Sequence, residues 1–236
     1  MLAPATHMPD FPFDIVGFDL DGTLFDTSGD LAAATNHALV LAGRPPLSVE
    51  AVKPMIGRGA KHMLEQGLEA SGRCDPDEVK RLFPELLRYY EANIARETVP
   101  YPGLLDAMDG LDAMGVKLAI VTNKFEYLAV KLVAELGLSH RFAALIGGDT
   151  MGPGNAKPSA LPIREMIARC RALGGGGRAA FVGDSIYDTM AARNAGIPSV
   201  AVSFGFLMQP VEELGADAVI DDYAELIPAL RALGGK

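Results

Sequence analysis

Short apolar segments that each end at a polar residue or a glycine constrain the fold of this chain more than any other feature. Six of them have the length and composition of buried strands, and segments with helical spacing of apolar residues lie between them. The predicted strands are residues 15–18, 117–121, 143–146, 179–182, 199–202 and 218–220. The predicted helices among them are residues 104–114, 127–136, 159–173 and 186–195. Strands that alternate with helices indicate an α/β fold with a Rossmann-like parallel sheet covered on both faces.

One long stretch, residues 27–100, interrupts this alternation. It contains no convincing strand, but has helical patterns near residues 31–41, 59–70 and 77–94. The simplest interpretation is a helical cap domain, residues 27–100, inserted into an α/β core made of residues 1–26 and 101–236. The insertion begins just after the first strand, where open α/β sheets bind ligands, so a helical unit hinged there could act as a lid.

The composition excludes several classes of protein. The formal net charge is −9, and no cluster of lysine and arginine is present, so we expect no nucleic-acid partner. No apolar run reaches the roughly 18 residues of a membrane-spanning helix, so we expect no membrane partner. The N-terminal residues resemble a short irregular leader rather than a signal peptide. The two cysteines, Cys74 and Cys170, form no CxxC motif, and their spacing favours a reducing compartment, the cytoplasm.

Polar side chains follow several of the predicted strands at the point where each strand ends. Two carboxylates, Asp19 and Asp21, follow the first strand. The other motifs are Thr122-Asn123, Lys157-Pro158 and Gly183-Asp184-Ser185 with Asp188. Like charges this close are costly unless a cation lies between them, and hard oxygen ligands suit Mg²⁺. A lysine and a hydroxyl beside them suit an anion such as phosphate. The motifs therefore predict a site for Mg²⁺ and a phosphate group at one edge of the sheet.

In order and spacing, these motifs resemble those of the haloacid dehalogenase superfamily, in particular its phosphatases with a helical cap. The resemblance rests on Phe18-Asp19-Leu20-Asp21-Gly22-Thr23-Leu24, Ile120-Val121-Thr122-Asn123, Ala156-Lys157-Pro158 and Val182-Gly183-Asp184-Ser185-Ile186-Tyr187-Asp188. It covers essentially the whole chain. The resemblance implies a Mg²⁺-dependent phosphomonoester hydrolase that acts through an aspartyl-phosphate.

The resemblance also assigns roles to individual residues. Asp19 is expected to be the nucleophile, and Asp21 is expected to protonate the leaving oxygen and then activate water. Thr122 and Lys157 would hold the phosphoryl oxygens. The Mg²⁺ ligands would be the Asp19 carboxylate, the Asp21 backbone carbonyl and the Asp184 carboxylate. Further roles are implied for Gly22 and Asn123, which would contact the phosphate, and for Asp188, which would bind the metal through water or orient its ligands.

The segment Gly57-Arg58-Gly59 in the predicted cap has two interpretations. It is either a plain loop before a helix or a cap loop that reaches the active site, where Arg58 would bind a carboxylate or phosphate of the substrate. Similar Gly-x-Gly segments occur in phosphoglycolate phosphatase-like members of the superfamily. The substrate expected from this resemblance is a small phosphate ester, 2-phosphoglycolate.

Other functions remain open from the sequence. The substrate could be another small phosphate, such as a sugar phosphate or pyrophosphate, or the protein could be a phosphomutase of the β-phosphoglucomutase type. A dehalogenase would need neither Asp21 nor Mg²⁺, and a non-catalytic binding protein would not need every motif residue. The oligomeric state, monomer or homodimer, is also left open.

Overall fold

The computed structural model describes residues 11–174 and 177–235. The predicted irregular leader falls largely on residues 1–10, which lie outside the described residues. The strands are β1 Ile15–Phe18, β2 Phe25–Asp26, β3 Val99–Pro100, β4 Lys117–Val121, β5 Ala144–Ile146, β6 Ala179–Gly183, β7 Ser199–Val202 and β8 Ala218–Ile220. The helices are α1 Ser28–Leu41, α2 Val49–Val52, α3 Ala60–Ala70, α4 Pro76–Ala92, α5 Leu104–Ala113, α6 Glu126–Glu135, α7 Leu161–Ala172, α8 Ile186–Ala195 and α9 Leu226–Gly234.

A parallel sheet forms the centre of the molecule, with the strand order β5-β4-β1-β6-β7-β8. Strand β1 lies between β4 and β6 and pairs in parallel with both. The chain therefore winds outward from β1 in both directions, which places a switch in winding direction at the carboxyl end of β1. The predicted α/β fold with a Rossmann-like sheet is confirmed.

Both faces of the sheet are covered, which explains why its strands are continuous apolar runs. Successive residues of β1 point to opposite sides: Ile15 belongs to the core layer that also contains Met166 of α7, whereas Val16 belongs to the layer with Leu111 of α5. All of these side chains are buried. Burial on both sides makes β1 a rigid support for whatever follows it in the chain.

The inserted stretch is mainly helical, and α1 packs against both α3 and α4. Helix α4 buries Val79, Leu82, Leu86 and Tyr90, which recur at three- and four-residue spacing along one face. Asp75 begins this helix, and its side chain accepts a hydrogen bond from the Asp77 backbone N–H. The apolar faces of these helices belong to the same buried cluster as Val16 of β1, so the insertion packs continuously onto one side of the sheet.

The expectation that residues 27–100 contain no strand is wrong at their C-terminal end. Val99–Pro100 pairs antiparallel with Phe25–Asp26, so the two connections between the insertion and the sheet run side by side. A two-residue strand is too short for a visible alternation of apolar and polar residues. Helix α9 was also not predicted.

Within the described ranges, no helix combines the length and the apolar character that crossing a lipid bilayer requires.

Candidate active site

The carboxyl ends of three adjacent strands position the predicted site residues. Asp19 follows β1, and its backbone N–H donates to the Val182 carbonyl of β6 at 2.9 Å. Thr122 follows β4, with its N–H donating to the Ile146 carbonyl of β5 at 3.0 Å. Asp184 comes directly after β6. Because β4, β1 and β6 are neighbours, the chain after each strand reaches the same edge of the sheet.

Lys157 joins two of the predicted carboxylates. Its Nζ lies 2.8 Å from Oδ1 of Asp19 and 2.6 Å from Oδ1 of Asp188. All three side chains are almost fully buried. Burial alone would lower the pKa of Lys157, but Asp188 and Asp19 outweigh it and raise the pKa above its ordinary value. Lys157 is therefore a permanent cation beside Asp19.

Helix α8 fixes the orientation of Asp188. Ser185 and Asp188 form a capping box: the Ser185 backbone N–H and hydroxyl donate to Asp188 Oδ2 at 3.0 and 2.5 Å. This leaves Oδ1 of Asp188 for Lys157. Asp188 thus connects the start of α8 to the lysine that contacts Asp19. Its predicted role toward a metal, through water or by orienting the ligands, stays a prediction.

A group of three carboxylates, Asp19, Asp184 and Asp188, has one oxygen from each within 4.8 Å of the others. Burial, with a contribution from Asp188 and against the opposing effect of Lys157, raises the pKa of Asp19 from 3.8 to about 7. Burial and both neighbouring carboxylates also raise the pKa of Asp184. The single ammonium of Lys157 thus does not balance the three carboxylates. Carboxylate oxygens are hard donors, so the group has the ligands of a divalent-cation site.

The loop after β1 and the loop after β7 hold Asp184 in place. The Phe206 backbone N–H donates to Asp184 Oδ2 at 2.6 Å, and the Thr23 hydroxyl donates to Oδ1 at 3.4 Å. Gly22 has a φ of 81°, and a Cβ at this position would overlap the Asp184 carboxylate. Gly22 is therefore required by the close approach of the chain to Asp184. A direct contact of Gly22 with phosphate stays a prediction.

Asp21 lies in a separate polar network. Its Oδ1 lies 2.9 Å from Nζ of Lys124 and accepts a hydrogen bond from the Thr27 hydroxyl at 2.7 Å. Lys124 is only 8% exposed, and its backbone N–H donates to the Thr122 hydroxyl oxygen. Lys124 is not among the site residues predicted from the sequence. Its position directly after Thr122-Asn123, at the end of a buried strand, is the signal that could have identified it.

Asn123 links the core to the insertion. Its side-chain amide donates to the Gly57 carbonyl at 3.0 Å and to the Lys157 carbonyl at 3.3 Å. The first bond reaches the loop before α3, and the second reaches the loop before α7. The predicted contact of its backbone N–H with phosphate is not tested by this arrangement.

Arg58 does not lie with the other predicted site residues at the edge of the sheet. Its side chain is exposed, and its guanidinium carbon lies 5.8 Å from the centre of the Tyr187 ring. It is absent from the described residues that line the cavity at the sheet edge. A role for Arg58 in substrate binding therefore stays a prediction.

A narrow cavity of about 40 Å³ opens at this edge, between the sheet and the insertion. Core residues supply its polar wall, and the insertion supplies a mainly apolar wall with one hydroxyl, that of Tyr90. The polar lining residues are Asp19, Asp21, Thr122, Asn123, Lys124 and Tyr90. The site therefore combines a buried candidate nucleophile, Asp19, with a cation beside it, Lys157, and an apolar wall. Such a site is suited to transfer of a small anionic group with exclusion of water.

Comparison with known proteins agrees with this geometry. The family model described as haloacid dehalogenase-like hydrolase matches residues 16–202. A phosphoglycolate phosphatase of Agrobacterium fabrum is 41% identical over 214 residues, which is 90% of both chains. A phosphoglycolate phosphatase of Caulobacter vibrioides is 42% identical, over 89% of this chain and 88% of the relative. The crystal structure of a protein described as a predicted phosphoglycolate phosphatase from Haemophilus somnus superposes with a TM-score of 0.83 at 29% identity, over 92% and 97% of the two chains.

Proposed function

Because the chain belongs to the haloacid dehalogenase-like hydrolase family, we propose that it is a phosphatase that cleaves 2-phosphoglycolate to glycolate and phosphate. The single observation that carries the phosphatase chemistry is the buried Asp19 carboxylate with Lys157 2.8 Å away. The substrate is supported by relatives named phosphoglycolate phosphatase that align over about nine tenths of the chain.

In the first step, an oxygen of Asp19 attacks phosphorus, and the bond between phosphorus and the ester oxygen breaks. Asp21 donates its proton to that oxygen, so glycolate leaves as an alcohol. In this proposal, Lys157 and the Thr122 hydroxyl contact the phosphoryl oxygens. Phosphoryl transfer depends mainly on positioning and charge neutralisation, which these groups provide.

In the second step, water attacks phosphorus of the aspartyl-phosphate, and Asp21 accepts a proton from that water. Inorganic phosphate leaves, and Asp19 and Asp21 return to their starting states. Asp188 takes no part in bond making. It holds the Lys157 ammonium against Asp19, through its 2.6 Å contact with Nζ.

The residues present fit a Mg²⁺ ion. Asp19 and Asp184 would supply carboxylates from a cluster that has one cation, Lys157, for three acidic side chains, and the Asp21 carbonyl would be the third ligand. When bound, Mg²⁺ adds positive charge beside the phosphoryl oxygens and offsets the repulsion between them and the carboxylates.

Residues 27–100 act as a cap in this proposal. Two features support it: the paired connections β2 and β3, and the hydrogen bond from Asn123 to the Gly57 carbonyl. Movement about the connections would admit substrate and then exclude water.

We also propose a reducing compartment, the cytoplasm, because Cys74 and Cys170 are both free thiols.

The test is phosphate release from 2-phosphoglycolate beside a panel of sugar phosphates, nucleotides and pyrophosphate, with Mg²⁺ and with EDTA. Release that needs both Mg²⁺ and Asp19, and that favours 2-phosphoglycolate, is expected. Asp19→Asn is the blank. Preference for another ester would discard the substrate. Conversion of a sugar phosphate into its isomer in the presence of a bisphosphate would replace the hydrolase with a phosphomutase.

A further inference from the structure

The cavity contains one cation that the proposed mechanism does not use. Among the described residues that line it, Lys124 is the only one with a positive charge. Lys157 contacts Asp19 and Asp188 from outside this lining, and Arg58 is also outside it. Lys124 is thus the cation that an anionic part of the substrate other than its phosphate would meet.

The Lys124 ammonium has donors to spare. An ammonium carries three N–H donors, and Asp21 is the only acidic side chain that lies within salt-bridge distance of it in the described part of the chain. On its other side, Nζ lies 4.7 Å from the centre of the Tyr90 ring. A buried cation is stable only where its charge is balanced. When Asp21 carries the proton that it donates in the proposed first step, it no longer balances this charge, and Lys124 can accept an anionic partner that enters the cavity.

Tyr90 supplies a second observation. It belongs to α4 of the insertion, is 2% exposed and lines the same cavity. Its buried hydroxyl lies beside the Lys124 ammonium, and none of its contacts with the described residues has full hydrogen-bond geometry. Buried hydroxyls are almost always hydrogen-bonded, so an unpartnered one that borders a cavity indicates a ligand group there. An O–H group is a donor, and a carboxylate oxygen is the acceptor it would take.

Substrate chemistry fits the same position. Asp21 must reach the ester oxygen to protonate it, and in 2-phosphoglycolate the carboxylate carbon is only two bonds from that oxygen. Lys124 lies 2.9 Å from Asp21. When Asp21 contacts the ester oxygen, the Lys124 ammonium beside it is therefore close enough to contact the carboxylate of the same substrate.

We infer that Lys124 and Tyr90 form the site that recognises the carboxylate of a short phosphorylated acid. This inference rests on the proposed function and deepens it. Phosphate is held by Asp19, Thr122 and Lys157, and the carboxylate by Lys124 of the core and Tyr90 of the insertion. A substrate with both groups is thus bound from both sides of the cavity, which couples its recognition to closure of the cap.

The test compares 2-phosphoglycolate with 2-hydroxyethyl phosphate, in which a neutral hydroxymethyl group replaces the carboxylate. The quantity measured is the ratio of kcat/KM for the two esters. Lys124→Met should lower this ratio at least about tenfold, the loss expected for a contact with a charged group. Activity on both esters should fall, because Lys124 also contacts Asp21, but the ratio isolates the carboxylate. Lys131→Met, which removes a lysine paired with Glu135 on the surface of α6, is the matched control and should leave the ratio unchanged.

Tyr90→Phe tests the same site without removing the ion pair of Asp21. It should lower the ratio about threefold or more, since a hydrogen bond to a charged group is lost. Its effect on Tm should be small, because no contact of the hydroxyl that it removes has full hydrogen-bond geometry in the free protein. A hydroxyl with a merely structural role would give the opposite result, a lower Tm with an unchanged ratio.

The outcomes separate the two claims. If the wild-type protein hydrolyses neither ester, the proposed function fails. If it prefers 2-phosphoglycolate and the ratio is unchanged in Tyr90→Phe and in any folded Lys124→Met, the inference alone is overturned. A loss of the preference in Arg58→Ala with no loss in Lys124→Met or Tyr90→Phe would also overturn it and would assign the carboxylate to Arg58.

Discussion

The Lys157 ammonium lies 2.8 Å from Oδ1 of Asp19, and both side chains are more than nine tenths buried. A buried carboxylate without this partner would be strongly disfavoured as an anion. The contact therefore does two things: it keeps Asp19 available as a nucleophile, and it places a positive charge where phosphoryl oxygens arrive.

Lys157→Met removes this charge while keeping an unbranched side chain of similar length. We expect kcat to fall by at least about a hundredfold, the loss seen when one charge-stabilising group leaves an active site. Stability should fall as well, by roughly 3 to 5 kcal/mol, because Asp19 and Asp188 would be left buried without their cation. Phosphate release and thermal unfolding measure the two effects. Equal activity in Lys157→Met and wild type would contradict the role given to Lys157.

Asp188→Asn separates orientation of Lys157 from capping of α8. We expect kcat to fall about 10- to 100-fold, the usual cost of losing a group that orients a site residue. Ser185→Ala is the matched variant, since it weakens the capping box but leaves the contact between Asp188 and Lys157. It should cost about 0.5 to 2 kcal/mol of stability with little effect on kcat. If both variants lost activity equally, Asp188 would be only a helix cap.

The raised pKa of Asp19 predicts how metal binding depends on pH. In the folded protein without metal this pKa is about 7, above the ordinary value of 3.8, so ionisation of Asp19 is disfavoured by folding. The metal-free protein should therefore lose stability as pH rises from about 4 to about 7, with no further loss from Asp19 above that range. Mg²⁺ binds the ionised carboxylate. The gain in Tm from Mg²⁺ over EDTA should thus be larger at about pH 8 than at about pH 5.5.

Asp19→Asn is the control for this pH dependence, because its side chain does not titrate. The part of the difference that comes from Asp19 should disappear in this variant, so the difference between the two pH values should be smaller than in the wild-type protein. A Mg²⁺ effect of the same size at both pH values in the wild-type protein would contradict the account of the carboxylate cluster.

Gly22→Ala tests the close approach of the β1 loop to Asp184. The φ of 81° alone should cost about 1 to 2 kcal/mol, and overlap of the new Cβ with the Asp184 carboxylate should add to it. Gly43→Ala has a similar φ of 72° with open space around the position, so it measures the backbone cost alone. Chemical denaturation gives both values. The loss in Gly22→Ala should exceed that in Gly43→Ala, and the Tm gain from Mg²⁺ should fall in Gly22→Ala only.

The sheet and its strand ends were predictable from the sequence because strands buried on both faces are continuous apolar runs. The strand before Asp19, for example, was predicted with the bounds that the structure has, Ile15–Phe18. The convergence of Asp19, Thr122 and Asp184 follows from the same pattern, since the strands before them are neighbours in a parallel sheet.

The network around Asp21 was not predictable in the same way. Lysine is usually solvated, and nothing near Lys124 in the sequence indicates that its partner is Asp21, about a hundred residues earlier. The pairing exists only once β1 and β4 lie side by side. Similarly, the Gly-x-Gly pattern around Arg58 indicated a loop but not the direction of its side chain, which lies over Tyr187.

The central claim is that Asp19 becomes phosphorylated during turnover, and rapid quenching with radiolabelled phosphate ester tests it most directly. Wild-type protein is mixed with Mg²⁺ and 2-phosphoglycolate that carries label in the phosphate, stopped in acid, and digested. The account predicts base-labile label on the peptide that contains Asp19, and none in Asp19→Asn. Labelled phosphate released at the full rate by Asp19→Asn, or label on a different residue of the wild-type protein, would contradict it.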